Sequence, residues 1–243
     1  MIPSLMLCSY GAFVLLVFGL LYRTVLWLST PAPLRIPLWP VPRGPVSAVF
    51  RVLGEALVFR SLLRENKALW VASLAFHYSL LLILVKHLRY LWPPPVPQWL
   101  VALQSAGIVP ACIFIASLLY LLARRCSRAP LAYLSTPEDY LVLLYLAAIA
   151  LTGILMKYCF QTDLLAVKFF LQSLLSLRAP SFDHNIIFPT VIFTVHYLLV
   201  CALAAYVPFG KLLHGAALFF SPPLTQAGAG KRHKNPWNSE EQR

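Results

Sequence analysis

The sequence predicts an all-α protein, an integral membrane bundle of five transmembrane helices. Hydrophobic residues make up 60% of the 243 positions and charged residues only 12%, whereas soluble domains are about 45–50% apolar and about 25% charged. The mean hydropathy of +0.74 also excludes a disordered chain, because such chains are poor in apolar residues. A third observation supports this fold class, since the charged residues fall between long uncharged runs.

The uncharged runs are long enough to be membrane helices. An α-helix needs about 20 mainly apolar residues to cross about 30 Å of hydrocarbon. A membrane β-strand would instead alternate polar and apolar residues over about 10 positions, and these runs do not alternate. The predicted spans lie near residues 5–28, 68–91, 100–123, 139–160 and 186–208.

Basic residues predict the orientation of these spans. With five spans the connections alternate sides, and 15 of the 20 Lys and Arg residues lie in segments 23–67, 124–128 and 211–243. Basic residues concentrate on the cytoplasmic side, so the N-terminus is predicted to be periplasmic and the C-terminus cytoplasmic. Residues 1–222 then form a membrane domain in the bacterial cytoplasmic membrane, and residues 223–243 form a basic cytoplasmic tail. The net charge of +12 therefore reflects topology, and no recognition motif indicates nucleic-acid binding.

The connections between the spans are of two kinds. Segments 46–67 and 164–177 combine apolar residues with interrupting polar and charged ones, a pattern typical of helices that lie on the membrane surface. Segments 31–45 and 92–97 are rich in proline and are predicted to be linkers that end helices.

The sequence lacks the motifs of several common sites. Its five cysteines are scattered, with no C-x-x-C pair, so neither a zinc ribbon nor covalent haem attachment is indicated. Walker A, G-x-S-x-G and H-E-x-x-H motifs are also missing, which argues against a nucleotide or hydrolase site. The six histidines remain as the residues most suited to carry chemistry.

Four histidines are predicted to be axial ligands of two haem irons. His77 and His87 lie on the second span, His196 lies in the fifth, and His214 lies on its cytoplasmic continuation. Ionisable residues in membrane helices are costly and usually functional, and an imidazole can bind metal through one nitrogen while the other donates a hydrogen bond. Because the two spans are antiparallel, His77 pairs with His214 and His87 with His196. Two haems, one near each face, would form an electron path across the bilayer.

Helix geometry leaves a mismatch between these pairs. The eighteen residues from His196 to His214 make five whole turns, whereas the ten from His77 to His87 leave a rotation of about 80°. A tilt of the haem and a kink at Pro208 are expected to absorb the difference. The two remaining histidines are predicted not to be ligands: His184 and His233.

Two stretches resemble the gamma-subunit superfamily of respiratory nitrate reductase. They are RENKALWVASLAFHYSLLLILVKHLRYL at 64–91 and FTVHYLLVCALAAYVPFGKLLHGAALFFSP at 193–222. The resemblance implies five spans, an outside N-terminus and two b haems. It also implies axial histidines on the second and fifth helices with spacings of ten and eighteen. The matching positions are His77, His87, His196 and His214.

Within this superfamily, the chain is similar to the membrane cytochrome b subunits of complexes associated with dissimilatory sulfite reductase. The shared traits are H-L-R-Y at 87–90, P-F-G-K-L-L-H at 208–214 and the tail K-R-H-K-N-P-W-N at 231–238. The resemblance implies that the subunit exchanges electrons with the quinone pool, which is menaquinone or ubiquinone. It also implies that this exchange serves dissimilatory sulfur metabolism. It implies a cytoplasmic iron–sulfur subunit similar to heterodisulfide reductase and a second membrane subunit. It also implies a periplasmic multihaem cytochrome c, a ferredoxin-like subunit and contact with membrane lipids.

Two basic residues flank His87 near the outer surface. Lys86 and Arg89 could pair with haem propionates or contact the quinone. The alternative is that both side chains simply extend to the interface, as basic residues at helix ends do.

Three further functions compete with this prediction. One is a gamma subunit of respiratory nitrate reductase, and another is a haem-free membrane anchor whose histidines only hold helices together. The third is a transporter, which the lack of inverted repeats disfavours. In the favoured prediction the chain is the quinone-reactive electron-transfer subunit of an oxidoreductase complex and is not active alone.

Overall fold

The computed structural model describes residues 2–30, 45–178 and 190–215, and within these ranges the chain is helical with no strand. Two short 3-10 helices cover Leu103–Ala106 and Lys211–Leu213. The α-helices are α1 (Ile2–Ser29), α2 (Pro45–Val58), α3 (Arg60–Glu65), α4 (Lys67–Leu91), α5 (Gln98–Ala102), α6 (Val109–Ser127), α7 (Ala129–Leu134), α8 (Pro137–Tyr158), α9 (Leu164–Leu175) and α10 (Val191–Tyr206). The all-α prediction is confirmed for this part of the chain.

Four of these helices are long and apolar enough to cross a membrane: α1, α4, α6 and α8. Three begin and end within a few residues of the predicted spans 5–28, 68–91 and 139–160. Helix α10, in the predicted span 186–208, has 16 residues and is shorter than the others. It begins after Thr190, whose side chain accepts a hydrogen bond from the Phe193 N–H.

The third predicted span, 100–123, was placed too early in the chain. The long helix begins at Val109, because Gly107 has a φ of +55° and so cannot be part of a helix. Glycine is the residue that most readily adopts this backbone conformation. Residues 98–106 form α5 and a 3-10 helix instead, with Leu100 fully buried.

The predicted surface helix over 46–67 is divided in two. Phe59, with a φ of 48°, separates α2 from α3. Helix α4 then begins at Lys67, because the Asn66 side chain accepts a hydrogen bond from the Leu69 N–H at 2.9 Å. The second predicted surface segment, 164–177, does contain one helix, α9, and its Phe170 is fully buried.

The long helices pack in the order α1, α10, α8, α6 and α4, and α9 covers α4. One apolar cluster joins α6 and α8 around Phe114, Leu118 and Leu146. A second joins α1, α9 and α10 around Leu5, Phe170 and Phe193. Among the described residues, α4 and α10 do not pack along each other. Helices α6 and α8 connect the two helices that carry histidines, and side chains of α4 and α10 both pack against the two apolar clusters.

The C-terminal end of α10 is held against α1. The Arg23 Nε donates a hydrogen bond to the Pro208 carbonyl at 3.0 Å. Gly19 allows this close approach, because a Cβ atom there would lie 2.6 Å from the Pro208 Cβ. The helix stops at Tyr206, and the chain turns before the 3-10 helix at Lys211–Leu213. The irregularity predicted at Pro208 is thus a complete break in the helix.

We expect Gly19→Ala to lower the free energy of unfolding by about 1–3 kcal/mol, the usual effect of overpacking a tight contact. Gly11→Ala is the matched control on the same helix, because no atom lies within 4 Å of its Cβ position. The measurement is the thermal unfolding midpoint in detergent, followed by circular dichroism. Equal midpoints for the two variants would contradict the close contact between α1 and Pro208.

Candidate functional site

His77 and His214 are called the inner pair here, after the predicted orientation, and their rings lie close together in the structure. His77 is half-buried on α4, and His214 follows the 3-10 helix beyond α10. The two ring centroids are 6.1 Å apart, and the ring planes lie at 84° to each other. Phe59 and Phe76 pack against the His77 ring, with centroids at 4.9 Å and 4.8 Å.

Three of the four imidazoles share one hydrogen-bonding arrangement. The Nδ1 atom lies 2.8 Å from the Ser73 carbonyl oxygen in His77, 2.7 Å from that of Ile83 in His87, and 3.0 Å from that of Lys211 in His214. A carbonyl oxygen can only accept, so each Nδ1 must donate its proton. The neutral ring then leaves Nε2 unprotonated, and this is the nitrogen that can bind a metal.

His196 reaches the same state through a side chain. Its Nδ1 lies 3.0 Å from the Thr152 Oγ1 on α8. The Thr152 hydroxyl donates its proton to a backbone carbonyl of its own helix, with those of Ala148 and Ile149 within reach at 2.9 Å and 3.0 Å. Since a hydroxyl has one proton, Thr152 accepts from the His196 Nδ1–H. Gly153 makes room for the ring, because a Cβ atom there would lie 3.2 Å from the His196 Cε1.

The outer pair is His87 and His196, and its two rings are less closely packed against each other than the rings of the inner pair. His87 lies on α4 and His196 on α10. Between the described rings, however, the close approach seen for His77 and His214 has no counterpart here. His87 is exposed and its ring packs against Tyr90, with centroids 6.1 Å apart.

The donor set fits a haem iron. Bonds from a metal to an imidazole nitrogen are about 2 Å long, so two imidazoles on opposite sides of one iron have centroids about 6 Å apart. The inner pair has this separation. Within the described ranges, no group of three or more His, Cys, Asp or Glu side chains could hold a metal ion. A haem needs only two such ligands, because the porphyrin supplies the remaining four nitrogens.

A cavity of about 190 Å³ lies beside the inner pair. Its apolar wall includes Phe76, Leu143 and Leu146, and its polar wall includes Arg125 and Lys211. Whole cofactor pockets are larger, about 300–1,000 Å³. The cavity therefore matches the space next to the two rings, and a porphyrin bound there would extend beyond it.

Lys86 and Arg89, the other predicted site residues, have local partners. The Lys86 Nζ donates to the Gly107 carbonyl at 2.8 Å, and the Gln104 side chain donates to the Lys86 carbonyl at 3.3 Å. The Arg89 guanidinium lies over the Tyr90 ring, 5.8 Å from its centroid. Lys86 thus helps to hold the turn that interrupts the third predicted span. The other predicted residues lie outside the described residues: His184, His233 and the tail 223–243.

Sequence reasoning missed two residues that shape the outer pair. Thr152 and Gly153 are adjacent on α8, a helix that carries no histidine. A Thr-Gly pair is common in membrane helices and gives no signal of its own. The packing of α8 against α10 places the Thr152 hydroxyl, and the space left by the missing side chain of Gly153, next to His196.

Comparison with known proteins shows the family of this chain. Residues 59–225 match the nitrate reductase gamma subunit family, and the chain belongs to that family. It is 31% identical to a protein of Archaeoglobus profundus named "Hdr-like menaquinol oxidoreductase cytochrome b-like subunit". It is 32% identical to a protein of the same name from Archaeoglobus fulgidus. Each comparison covers 94% of this chain and 81% of the relative. The predicted resemblance and the predicted multi-pass membrane location are confirmed.

We expect Thr152→Val to weaken haem retention at the outer pair by roughly 10-fold or more, the usual effect of removing a hydrogen-bond partner of a metal-binding histidine. Valine keeps the shape of threonine but cannot accept a hydrogen bond from the His196 Nδ1–H. Thr194→Val is the matched control, because within the described residues the Thr194 hydroxyl donates to the carbonyl of Thr190, the residue that caps α10.

The measurement is the haem released from each purified variant to an excess of apomyoglobin, followed by absorbance. Equal release from the Thr152 and Thr194 variants would show that the hydroxyl does not support His196.

Proposed function

We propose that this protein is a di-haem b membrane subunit that carries electrons between a quinol and a cytoplasmic iron–sulfur partner. The observation that carries the proposal is the common state of four imidazoles, each with Nδ1 donating and Nε2 left free. His77 and His214 would hold the inner haem, and His87 and His196 the outer one. A haem held by two imidazoles supplies one-electron transfer without an open site for substrate.

The spacing of His77 and His87 along α4 sets the distance between the two proposed haem sites. His77 and His87 are ten residues apart on one helix, which separates them by about 15 Å along its axis. Two sites at this separation would lie at two depths of the bundle. The surrounding apolar side chains, including Phe76, Leu80 and Ile83 on α4, would exclude water from the space between them.

The proposal includes five spans with a periplasmic N-terminus. Helix α10, with 16 residues, would extend about 24 Å, and the turn and 3-10 helix that follow it would complete the crossing. Its place between α1 and α8 supports this, because both neighbours are long enough to span a membrane. The excess of basic residues on the proposed cytoplasmic side supports the orientation.

The names of the two relatives support the choice of substrate and partner. Both relatives are called Hdr-like menaquinol oxidoreductase subunits, which favours menaquinol over ubiquinol. They also favour a heterodisulfide-reductase-like iron–sulfur partner over a nitrate reductase. The proposed complex serves dissimilatory sulfur metabolism and includes a second membrane subunit, a periplasmic multihaem cytochrome c and a ferredoxin-like subunit. Lys86 and Arg89, beside His87, are the proposed contacts for propionates or for the quinone headgroup.

We expect the purified protein to contain two haem b per chain, measured as the pyridine haemochrome. Alanine at either member of a pair should remove the haem of that pair and leave about one haem per chain. His77→Ala and His214→Ala should then give one spectrum, and His87→Ala and His196→Ala another. His184→Ala and His233→Ala are the matched controls and should retain both haems.

A protein that folds but contains no haem would contradict the proposal and favour the membrane anchor. A nitrate reductase catalytic subunit that copurifies with the chain would instead identify the other member of the family. An iron–sulfur subunit similar to heterodisulfide reductase is the expected partner.

A further inference from the structure

His214 lies on the segment that follows the end of α10, so the backbone hydrogen bonds of α10 do not fix its position. Helix α10 ends at Tyr206, and Gly210 is extended, with φ −100° and ψ 179°. The 3-10 helix Lys211–Leu213 follows, and His214 comes directly after it. The position of the His214 ring therefore depends on whatever fixes this three-residue helix.

Lys211 ties the segment to the N-terminus of α8. Its Nζ lies 2.8 Å from the Asp139 Oδ1 and 2.8 Å from the Thr136 Oγ1. It also lies 4.0 Å from a Glu138 carboxylate oxygen. Thr136 and Asp139 form a capping box at the start of α8. The hydrogen bonds of this capping box hold both acceptors in place independently of Lys211.

The same end of α8 makes further contacts that keep the acceptors in place. The Arg125 Nη1 lies 3.4 Å from the Asp139 Oδ2 and donates to the Ser135 Oγ at 2.8 Å. The Asp139 side chain is only 13% exposed. The Tyr206 hydroxyl donates to a Glu138 oxygen, which links the last residue of α10 to the same group. Helix α6, helix α8 and the end of α10 thus meet at one cluster.

The cluster reaches the inner pair through one backbone group. The His214 Nδ1 donates to the Lys211 carbonyl at 3.0 Å. Lys211 therefore holds the segment through its side chain and orients the imidazole through its main chain. Because the His214 and His77 rings are 6.1 Å apart, a shift of the segment changes the spacing of the pair directly.

We propose that Lys211 and Asp139 are positioning residues for the inner histidine pair. The cross-link between the 3-10 helix and the α8 capping box holds His214 at the spacing that one iron requires. This inference rests on the proposed function, since it assigns the two residues to the inner haem of that site. It also gives the Lys211 ammonium a structural task, because its Nζ donates to the Asp139 carboxylate and to the Thr136 hydroxyl, each at 2.8 Å.

The role predicts a selective effect. Partly exposed ion pairs contribute little to overall stability, and Lys211 is 50% exposed, so removing its charge should leave the bundle folded. The outer haem then serves as an internal control within the same protein. Only the haem held by His77 and His214 should respond.

The experiment compares Lys211→Met, Lys211→Arg and Asp139→Asn with the parent full-length protein in detergent. The readouts are haem per chain and the low-spin electron paramagnetic resonance signal, with the inner signal defined as the one that His214→Ala removes. We expect Lys211→Met and Asp139→Asn to lose or shift the inner signal and to bind closer to one haem than two. Lys211→Arg should retain the inner signal of the parent, because arginine can still reach the Asp139 carboxylate. Lys67→Met is the matched control, since Lys67 is exposed at the start of α4.

Two results would overturn the inference. In the first, Lys211→Met keeps both haems with an unchanged inner signal. In the second, it loses both haems together, which would show a general effect on folding. Either result leaves the proposed function intact as long as the parent binds two haems. A parent without haem would instead remove the proposed function itself.

Discussion

The hydrogen bond from each imidazole Nδ1 to a fixed oxygen atom is the interaction on which the proposed site depends. An imidazole in an apolar bundle is costly unless its polar atoms have partners. Here Ser73, Ile83 and Lys211 supply carbonyl oxygens, and Thr152 supplies a hydroxyl. Each bond satisfies one nitrogen and fixes the tautomer, so that the second nitrogen is available to a metal. The four residues are thereby prepared for the same role although they belong to different parts of the fold.

The packing of the bundle serves this preparation. Helices α4 and α10 are connected through α6 and α8, and the cavity beside the inner pair is lined by residues of α4, α6 and α8 and of the segment after α10. Helix α8 contributes at both of its ends. Thr152 and Gly153 accommodate His196 near its C-terminus, and Asp139 holds the segment of His214 near its N-terminus. A helix without any ligand thus positions one histidine of each pair.

Much of this arrangement could be predicted from the sequence because it follows from composition and spacing. Long uncharged runs predicted the membrane helices, and the antiparallel order of the second and fifth spans predicted which histidines would meet. In the structure the rings of His77 and His214 lie 6.1 Å apart. The start of the third long helix could not be predicted, because the positive φ at Gly107 lies inside a long uncharged run. The break after Tyr206 was expected only as a kink at Pro208. Its full extent depends on contacts with Arg23 and Glu138, which lie far away in the sequence.

The central claim is that two haems lie between α4 and α10, each held by one histidine from either side. The most direct measurement is a cryo-electron microscopy map of the purified full-length protein, bound to an antibody fragment that gives the particle sufficient size. The account predicts two flat densities in the space between these helices, one joined to His77 and His214 and the other to His87 and His196. A map in which α4 packs directly against α10, with the histidines bonded only to protein, would contradict it.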